Sequence, residues 1–377
     1  MKIAIYGGAF NPVHNEHINI ARAAITQLGL DKIIVVPTAI SPHKKGCMTA
    51  RGKDRLQLCR LAFCDLPEVE VSDYELKRGG ISYSYVTCRH FKKLYKDDEL
   101  YFILGADMLQ SFRFWKEPLE ILKCVTLAVC AREDKEQLSK LIKDFQRTFK
   151  SETVDFGYVG KAVSSTKVRA AAALGEDVGA FVPESVRLYI KKQELYLLPE
   201  LLAVKKYLTQ ERWEHTVRVA QTAAAYSRRS GVYEIDAVTA AALHDCAKYL
   251  SENAPELNGF TPPADVPPPV VHQFAGAYMA ERTFGIKDEH ILNAIRYHTT
   301  GRENMCALEK LIFLADLLED GRDFDGVEKL RKIFKRSLDD CLFAALERQI
   351  NYLKSKGNVC ALTQRAYNFL KEEKNDK

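Results

Sequence analysis

Over residues 2–159 the chain alternates short β-branched runs with stretches of helical pattern or length, and this alternation restricts the fold more than any other feature. The strand candidates are 2–6, 32–36, 69–72, 100–104, 125–130 and 153–159. Strand and helix in strict alternation imply right-handed crossovers and a parallel sheet covered on both faces. The expectation is an α/β doubly wound parallel sheet whose ligands bind at the carboxyl ends of its strands.

Near Glu194-Leu195-Tyr196-Leu197-Leu198-Pro199 the pattern changes. Downstream there are amphipathic runs at 199–208, 210–230, 235–249, 270–284, 288–298, 307–318, 327–354 and 361–371, and no convincing strand over most of this length. A chain of 377 residues exceeds one comfortable domain. Two domains are therefore expected, 1–195 as α/β and 196–377 as all-α. The proline-rich stretch 260–269 reads as a surface connection inside the second. Hydrophobic residues at 47% and charged residues at 28% exclude a disordered or low-complexity chain.

Charge narrows the partner class. Residues 1–195 carry 30 basic and 24 acidic side chains, and 196–377 carry 25 and 26. So small an excess suits phosphate-bearing small molecules in the first domain and argues against nucleic acid. The ten cysteines form no C-x-x-C pair and read as reduced thiols. With no apolar run near membrane-spanning length and no secretory h-region, a soluble, cytoplasmic protein without membrane contact is expected. A homo-oligomeric assembly is compatible with this composition.

The first strand candidate runs into Gly7-Gly8-Ala9-Phe10-Asn11-Pro12-Val13-His14-Asn15-Glu16-His17. Paired glycines let backbone approach a ligand with no Cβ in the way. His14 and His17, three apart, share one face of a first helical turn, where free N–H groups and the dipole favour anions. Farther on, Ser164-Ser165-Thr166 opens a helix whose first turn also holds Lys167 and Arg169. Capping explains the hydroxyls. It does not explain cations that oppose the dipole, a conflict a bound triphosphate would relieve.

Together, Gly-Gly-x-Phe-x-Pro-x-His-x-x-His and Ser-Ser-Thr-x-x-Arg resemble the two signatures of the nucleotidyltransferase superfamily, with its Rossmann-like core. Pro42-His43-Lys44, Gly79-Gly80-Ile81-Ser82-Tyr83-Ser84, Gly105-Ala106-Asp107 and Trp115 make bacterial nicotinate-nucleotide adenylyltransferase the most similar member, over roughly residues 1–195. Two positions depart from its pattern: Glu16 replaces the glycine of His-x-Gly-His, and Ser84 replaces a threonine. The resemblance implies in-line transfer of AMP from ATP to nicotinate mononucleotide, with Mg2+ and no covalent intermediate. It assigns His14, His17 and Lys44 to catalysis at the triphosphate. Gly7, Gly8, Phe10, Asp107, Ser164, Ser165 and Arg169 join the histidines in binding ATP, while Tyr83, Ser84 and a stacking Trp115 take the pyridine nucleotide. For Trp115, core packing is a reading of nearly equal weight.

In the helical half, four of its five histidines fall with two aspartates into a candidate ligand set: His215, adjacent His244-Asp245, His272, His298 and Asp316. Each lies in a stretch read as helical. Imidazole and carboxylate donors without cysteine suit iron, manganese or zinc. The order His, His-Asp, Asp resembles the HD phosphohydrolase superfamily, and Glu214-His215, His-Asp-x-Ala-Lys, Tyr297-His298-Thr299-Thr300-Gly301 and Ala315-Asp316-Leu317-Leu318-Glu319 with Arg322 resemble its YqeK-type hydrolases, over roughly 197–370. The resemblance implies one or two ions, Fe2+/Fe3+ or Mn2+, with Asp245 bridging. The implied chemistry is hydrolysis at phosphorus, assisted by Lys248 or Arg322, with diadenosine tetraphosphate cut symmetrically to ADP. Competing readings are a helical domain that senses nucleotide without hydrolysing it, and a transferase that prefers nicotinamide mononucleotide or phosphopantetheine. A synthetase-like activity on tRNA is disfavoured, since no basic anticodon-binding extension is evident.

Overall fold

The computed structural model describes the chain except residues 42–45, 132–134, 161–162, 265, 358 and 376–377. The described residues divide into two compact units, one of Met1–Lys45, Thr49–Val168 and Asp177–Leu195, the other of Gly46–Met48, Arg169–Glu176 and Tyr196–Lys377.

The first unit is built on six parallel strands: β1 (Lys2–Gly8), β2 (Lys32–Pro37), β3 (Val69–Val71), β4 (Glu99–Gly105), β5 (Thr126–Ala131) and β6 (Thr153–Val159). Their order is β3-β2-β1-β4-β5-β6, so the winding reverses between β1 and β4. Such a reversal leaves a crevice at the carboxyl ends of these two strands. The central strands are nearly continuous apolar runs because helices cover both faces. Ile3, Ala4 and Ile5 of β1 and Ile33–Val36 of β2 are fully buried. Each isoleucine or valine so buried contributes about 1.5–3 kcal/mol.

The crossover after β1 is the helix Asn15–Leu28, closed by Gly29 in the left-handed region at φ 62°, whose N–H bonds the carbonyl of Ile25. The helix after β6 starts at Ser165. Its first turn belongs to the first unit and its remainder to the second.

The second unit is helical. Its main helices are Gln210–Ser227, Glu234–Leu243, Val271–Arg282, Glu289–Arg296, Ala307–Leu318, Val327–Phe334, Leu338–Ser355 and Ala361–Asn375. Ala240, Ala241 and Ala242 are fully buried, and small side chains there let Glu234–Leu243 pack closely on its neighbours. Trp213 is buried in the same core, and its indole donates to Glu176 at 2.6 Å.

The helix expected over 327–354 is two helices. Ser337 caps the second, its Oγ accepting from the Asp340 N–H at 3.1 Å, and Asp339 and Asp340 complement the dipole in the first turn. Among the described residues no helix is long and apolar enough to cross a membrane, and all ten cysteines are free thiols.

Candidate active sites

In the first unit, β1 delivers the chain into the crevice. Gly8 is constrained from within: a Cβ there would lie 3.1 Å from the ring of Phe10. Phe10 itself is buried, at a positive φ of 44°, with its ring against Tyr6, His17 and Phe63. From sequence Phe10 is expected beside ATP; its ring instead forms the floor on which His17 rests.

His14 is the N-cap of the helix Asn15–Leu28 and His17 lies in its first turn. Their rings are 3.8 Å apart, and the backbone N–H of His14 donates to His17 Nδ1 at 3.1 Å. A neutral His17 that accepts at Nδ1 carries its proton on Nε2, where it can donate to an anion.

The second motif meets the first here. Ser165 Oγ donates to the carbonyl of Pro12 at 2.9 Å, while Ser164 Oγ caps the new helix by accepting from the Lys167 N–H at 3.3 Å. Arg169, which belongs to the second unit, is placed differently from the expectation. It is 3% exposed, and its Nε and Nη2 donate to Glu234 at 2.7 and 2.6 Å. A carboxylate of its own unit therefore meets the charge conflict that sequence assigns to a triphosphate. Glu234 carries no motif and was invisible to sequence reasoning.

Asp107 opens the helix Ala106–Ser111 directly after β4, and a Cβ on Gly105 would approach its Oδ1 to 2.8 Å. Trp115 is half-buried, edge-on to Phe102 and tilted on Phe112, so its indole takes part in the packing of this unit. Tyr83 precedes the helix Ser84–Leu94, whose first residue is Ser84, and the Lys116 ammonium lies 4.6 Å from the Tyr83 ring centroid. Lys44 lies outside the described residues.

The second unit brings all six expected ligands together. His215 projects from Gln210–Ser227 and Asp316 from Ala307–Leu318, with His215 Nε2 3.0 Å from Asp316 Oδ1. His272 stands in the first turn of Val271–Arg282. His244, Asp245 and His298 are expected within helices but lie just past the ends of Glu234–Leu243 and Glu289–Arg296. His244 keeps helical dihedrals as the C-cap, and its Nε2 lies 3.3 Å from Asp245 Oδ2, so the adjacent pair meets at one centre.

One device repeats. His244, His272 and His298 each bond through Nδ1 to the carbonyl three residues earlier, of Ala241, Pro269 and Ile295, at 2.6, 2.9 and 2.8 Å. A carbonyl can only accept, so each Nδ1 carries the proton and each Nε2 presents a lone pair. His215 does the same with Glu319, Nδ1 to Oε1 at 3.1 Å.

Asp245 Oδ1 lies 3.3 Å from His272 Nε2 and 3.5 Å from His298 Nε2, and His244 Nε2 is 3.3 Å from Asp245 Oδ2. Two groups of donor atoms each fall within 4.8 Å of one another: His215, His244 and Asp316, and His244, Asp245 and His298. His215 Nε2, His244 Nε2 and Asp245 Oδ1 are buried and make no hydrogen bond among the described residues. Buried donors left unsatisfied by protein fit a divalent cation.

Electrostatics differ among the ligands: burial opposes the charged form of His215, yet hydrogen bonds to Asp316 and Glu319 raise its pKa. Burial pulls the pKa of His272 down, favouring the neutral ring. Burial opposes the charge of Glu319, yet hydrogen bonds from His215, Arg218 and the Gly321 amide bring it down to about 2. Cations line the same centre. Lys248 Nζ is 3.1 Å from His272 Nε2, Arg322 Nη2 donates to Asp316 Oδ1 at 2.7 Å, Arg212 Nη1 to Asp245 Oδ2 at 3.1 Å, and Arg218 Nε to Glu319 at 2.7 Å. Glu319, Arg212 and Arg218 were missed as site residues. The signal for Glu319 was its place one turn after Asp316.

Two family models match separate stretches of the chain. Residues 5–171 match the family model described as cytidylyltransferase-like, and 212–321 match the HD domain. A probable nicotinate-nucleotide adenylyltransferase/Ap4A hydrolase of Mycoplasma genitalium is 29% identical over 94% of this chain and 99% of its own length. Its counterpart in Mycoplasma pneumoniae is 30% identical over 84% of this chain and 88% of its own. A probable nicotinate-nucleotide adenylyltransferase of Clostridium tetani is 37% identical over 52% of this chain and 98% of its own. With relatives of this kind matching nearly end to end, the chain belongs to the nicotinate-nucleotide adenylyltransferase family, in the form that also carries an HD domain.

Proposed function

We propose that the chain is a bifunctional enzyme, with residues 1–195 transferring AMP from ATP to nicotinate mononucleotide and residues 196–377 hydrolysing diadenosine tetraphosphate symmetrically to ADP. The products of the first reaction are nicotinate adenine dinucleotide and pyrophosphate.

For the transferase, the observation that carries the reading is the bond from Ser165 to the Pro12 carbonyl, which joins both phosphate-facing helix starts at the carboxyl end of β1. Helix N-termini already favour anions there. His17 Nε2 donates to the triphosphate as charge moves onto it, with His14 beside it and Lys44 completing the grip. Gly7, Gly8, Asp107, Ser164 and Ser165 hold ATP, presented with Mg2+. Tyr83, Ser84 and Trp115 take the pyridine nucleotide.

For the hydrolase, the carrying observation is the set of four imidazoles whose Nδ1 protons are fixed by backbone or Glu319. His215, His244, Asp245, His272, His298 and Asp316 would hold one or two ions. Bound iron or manganese supplies charge neutralisation at phosphate oxygens and an activated water. Lys248, Arg212 and Arg322 draw a polyphosphate chain toward the centre, a charge complement that suits a tetraphosphate better than a neutral substrate.

The test supplies reduced protein with ATP, nicotinate mononucleotide and Mg2+, and separately with diadenosine tetraphosphate and ferrous or manganous ion, and resolves products by mass. Dinucleotide from the first and ADP alone from the second are expected. His244→Ala with Asp245→Ala should abolish the second and spare the first. Preference for phosphopantetheine would sink the transferase assignment, and unchanged tetraphosphate in a metal-loaded protein would sink the hydrolase.

A further inference from the structure

Glu16 stands between His14 and His17 in the turn that faces phosphate, yet its carboxylate points elsewhere. It is 5% exposed, and its Oε1 accepts from the Tyr158 hydroxyl at 2.8 Å. Tyr158 belongs to β6, whereas Glu16 lies in the first turn of the helix Asn15–Leu28. Burial and this carboxylate push the Tyr158 pKa up to about 12, so the phenol stays a donor throughout the physiological range.

The fit is close on the far side as well. Gly160 follows β6 and continues its pairing, its N–H bonding the Ala131 carbonyl at 2.9 Å. A Cβ on Gly160 would come within 2.9 Å of Glu16 Oε1. Four residues later Ser164 caps the helix that carries the second phosphate motif. Glu16 is therefore seated where the start of one phosphate-facing helix touches the strand that leads to the other.

We propose that Glu16 is a positioning residue for the transferase: by clasping Tyr158 and filling the space at Gly160, it sets the spacing between the His14–His17 turn and the Ser164–Ser165 turn that together receive the triphosphate. No glycine at this position could make that tie. The carboxylate acts through the two turns and touches no substrate. This rests on the transferase reading above.

The experiment compares steady-state transferase kinetics of the full chain with Glu16→Gln, Glu16→Ala, Tyr158→Phe and the Ala/Phe double variant, varying ATP. Loss of one charge-assisted hydrogen bond predicts a rise in KM for ATP of about tenfold in Glu16→Ala and Tyr158→Phe, with kcat changed by less than about threefold. Glu16→Gln keeps an acceptor for the phenol and should restore KM to within about twofold. The double variant should be no worse than the poorer single one, because both remove the same contact.

Wild-type KM in Glu16→Ala, additive losses in the double variant, or a Gln variant as poor as the Ala variant would each overturn the proposal. Should Glu16→Ala fail to fold, Tyr158→Phe removes a single oxygen and decides the matter alone. Wild-type protein that makes no dinucleotide would overturn the transferase reading, and this proposal with it. An active wild type with unaffected variants overturns this proposal alone.

Discussion

Arg169 and Glu234 form a bidentate ion pair whose side chains are 4% and 1% exposed. Both charges are withdrawn from water, so each depends on the other far more than a surface pair would. Glu234→Ala should lower stability by about 3–5 kcal/mol, because a buried guanidinium loses its carboxylate. Replacing both residues with apolar ones of similar size should recover most of the loss. Denaturant unfolding followed at Trp213, in a Trp115→Phe background, measures it; equal losses in the single and double variants would contradict the argument.

Glu319 Oε1 accepts from His215 Nδ1 at 3.1 Å. Glu319→Leu should weaken metal retention by about 10–100-fold while leaving the helical unit folded. Dialysis against graded chelator with metal analysis reads this directly. Retention equal to wild type would mean that His215 needs no partner to present Nε2.

His17 is expected to stabilise charge as pyrophosphate leaves. His17→Ala should cut kcat of the transferase about 10²–10³-fold, with tetraphosphate hydrolysis unchanged. Pyrophosphate release assayed beside ADP formation separates the two, and a parallel fall in both activities would point to a folding defect instead.

Gly8 leaves room for the Phe10 ring, which supports His17. Gly8→Ala should cost about 1–3 kcal/mol through overpacking and lower transferase activity beyond what the lost folded fraction explains. The check is specific activity corrected for that fraction at a temperature below the unfolding transition. Activity per folded molecule equal to wild type would show that ring and histidine are independent.

All six strands lie within one or two residues of their expected positions; the central ones are legible because strands buried on both faces must be written as apolar runs, while the edge strands β3 and β6 keep exposed residues. The meeting of six histidine and aspartate side chains in the second unit was legible for a related reason: such residues in an otherwise apolar, alanine-rich core have few structural uses. What periodicity missed is where helices stop. The apolar spacing continues across 334–338, and the break there is set by the hydroxyl of Ser337. His244 and His298 likewise sit past helix ends that the pattern runs through. Arg169 shows a different gap. Its local sequence poses an electrostatic conflict, and the answer, Glu234, comes from 65 residues away, which no local pattern can name.

Three of the four imidazoles take their proton placement from a carbonyl in their own preceding turn. Each ligand is thus aimed by its own short stretch of backbone, independently of its fellows and of any cation. Ion exchange at such a centre requires no ring to rotate and no proton to move between nitrogens. An ion held there would meet rings already aimed whatever its identity, so the metal recovered after growth on iron-rich and manganese-rich media should differ while the fold stays the same.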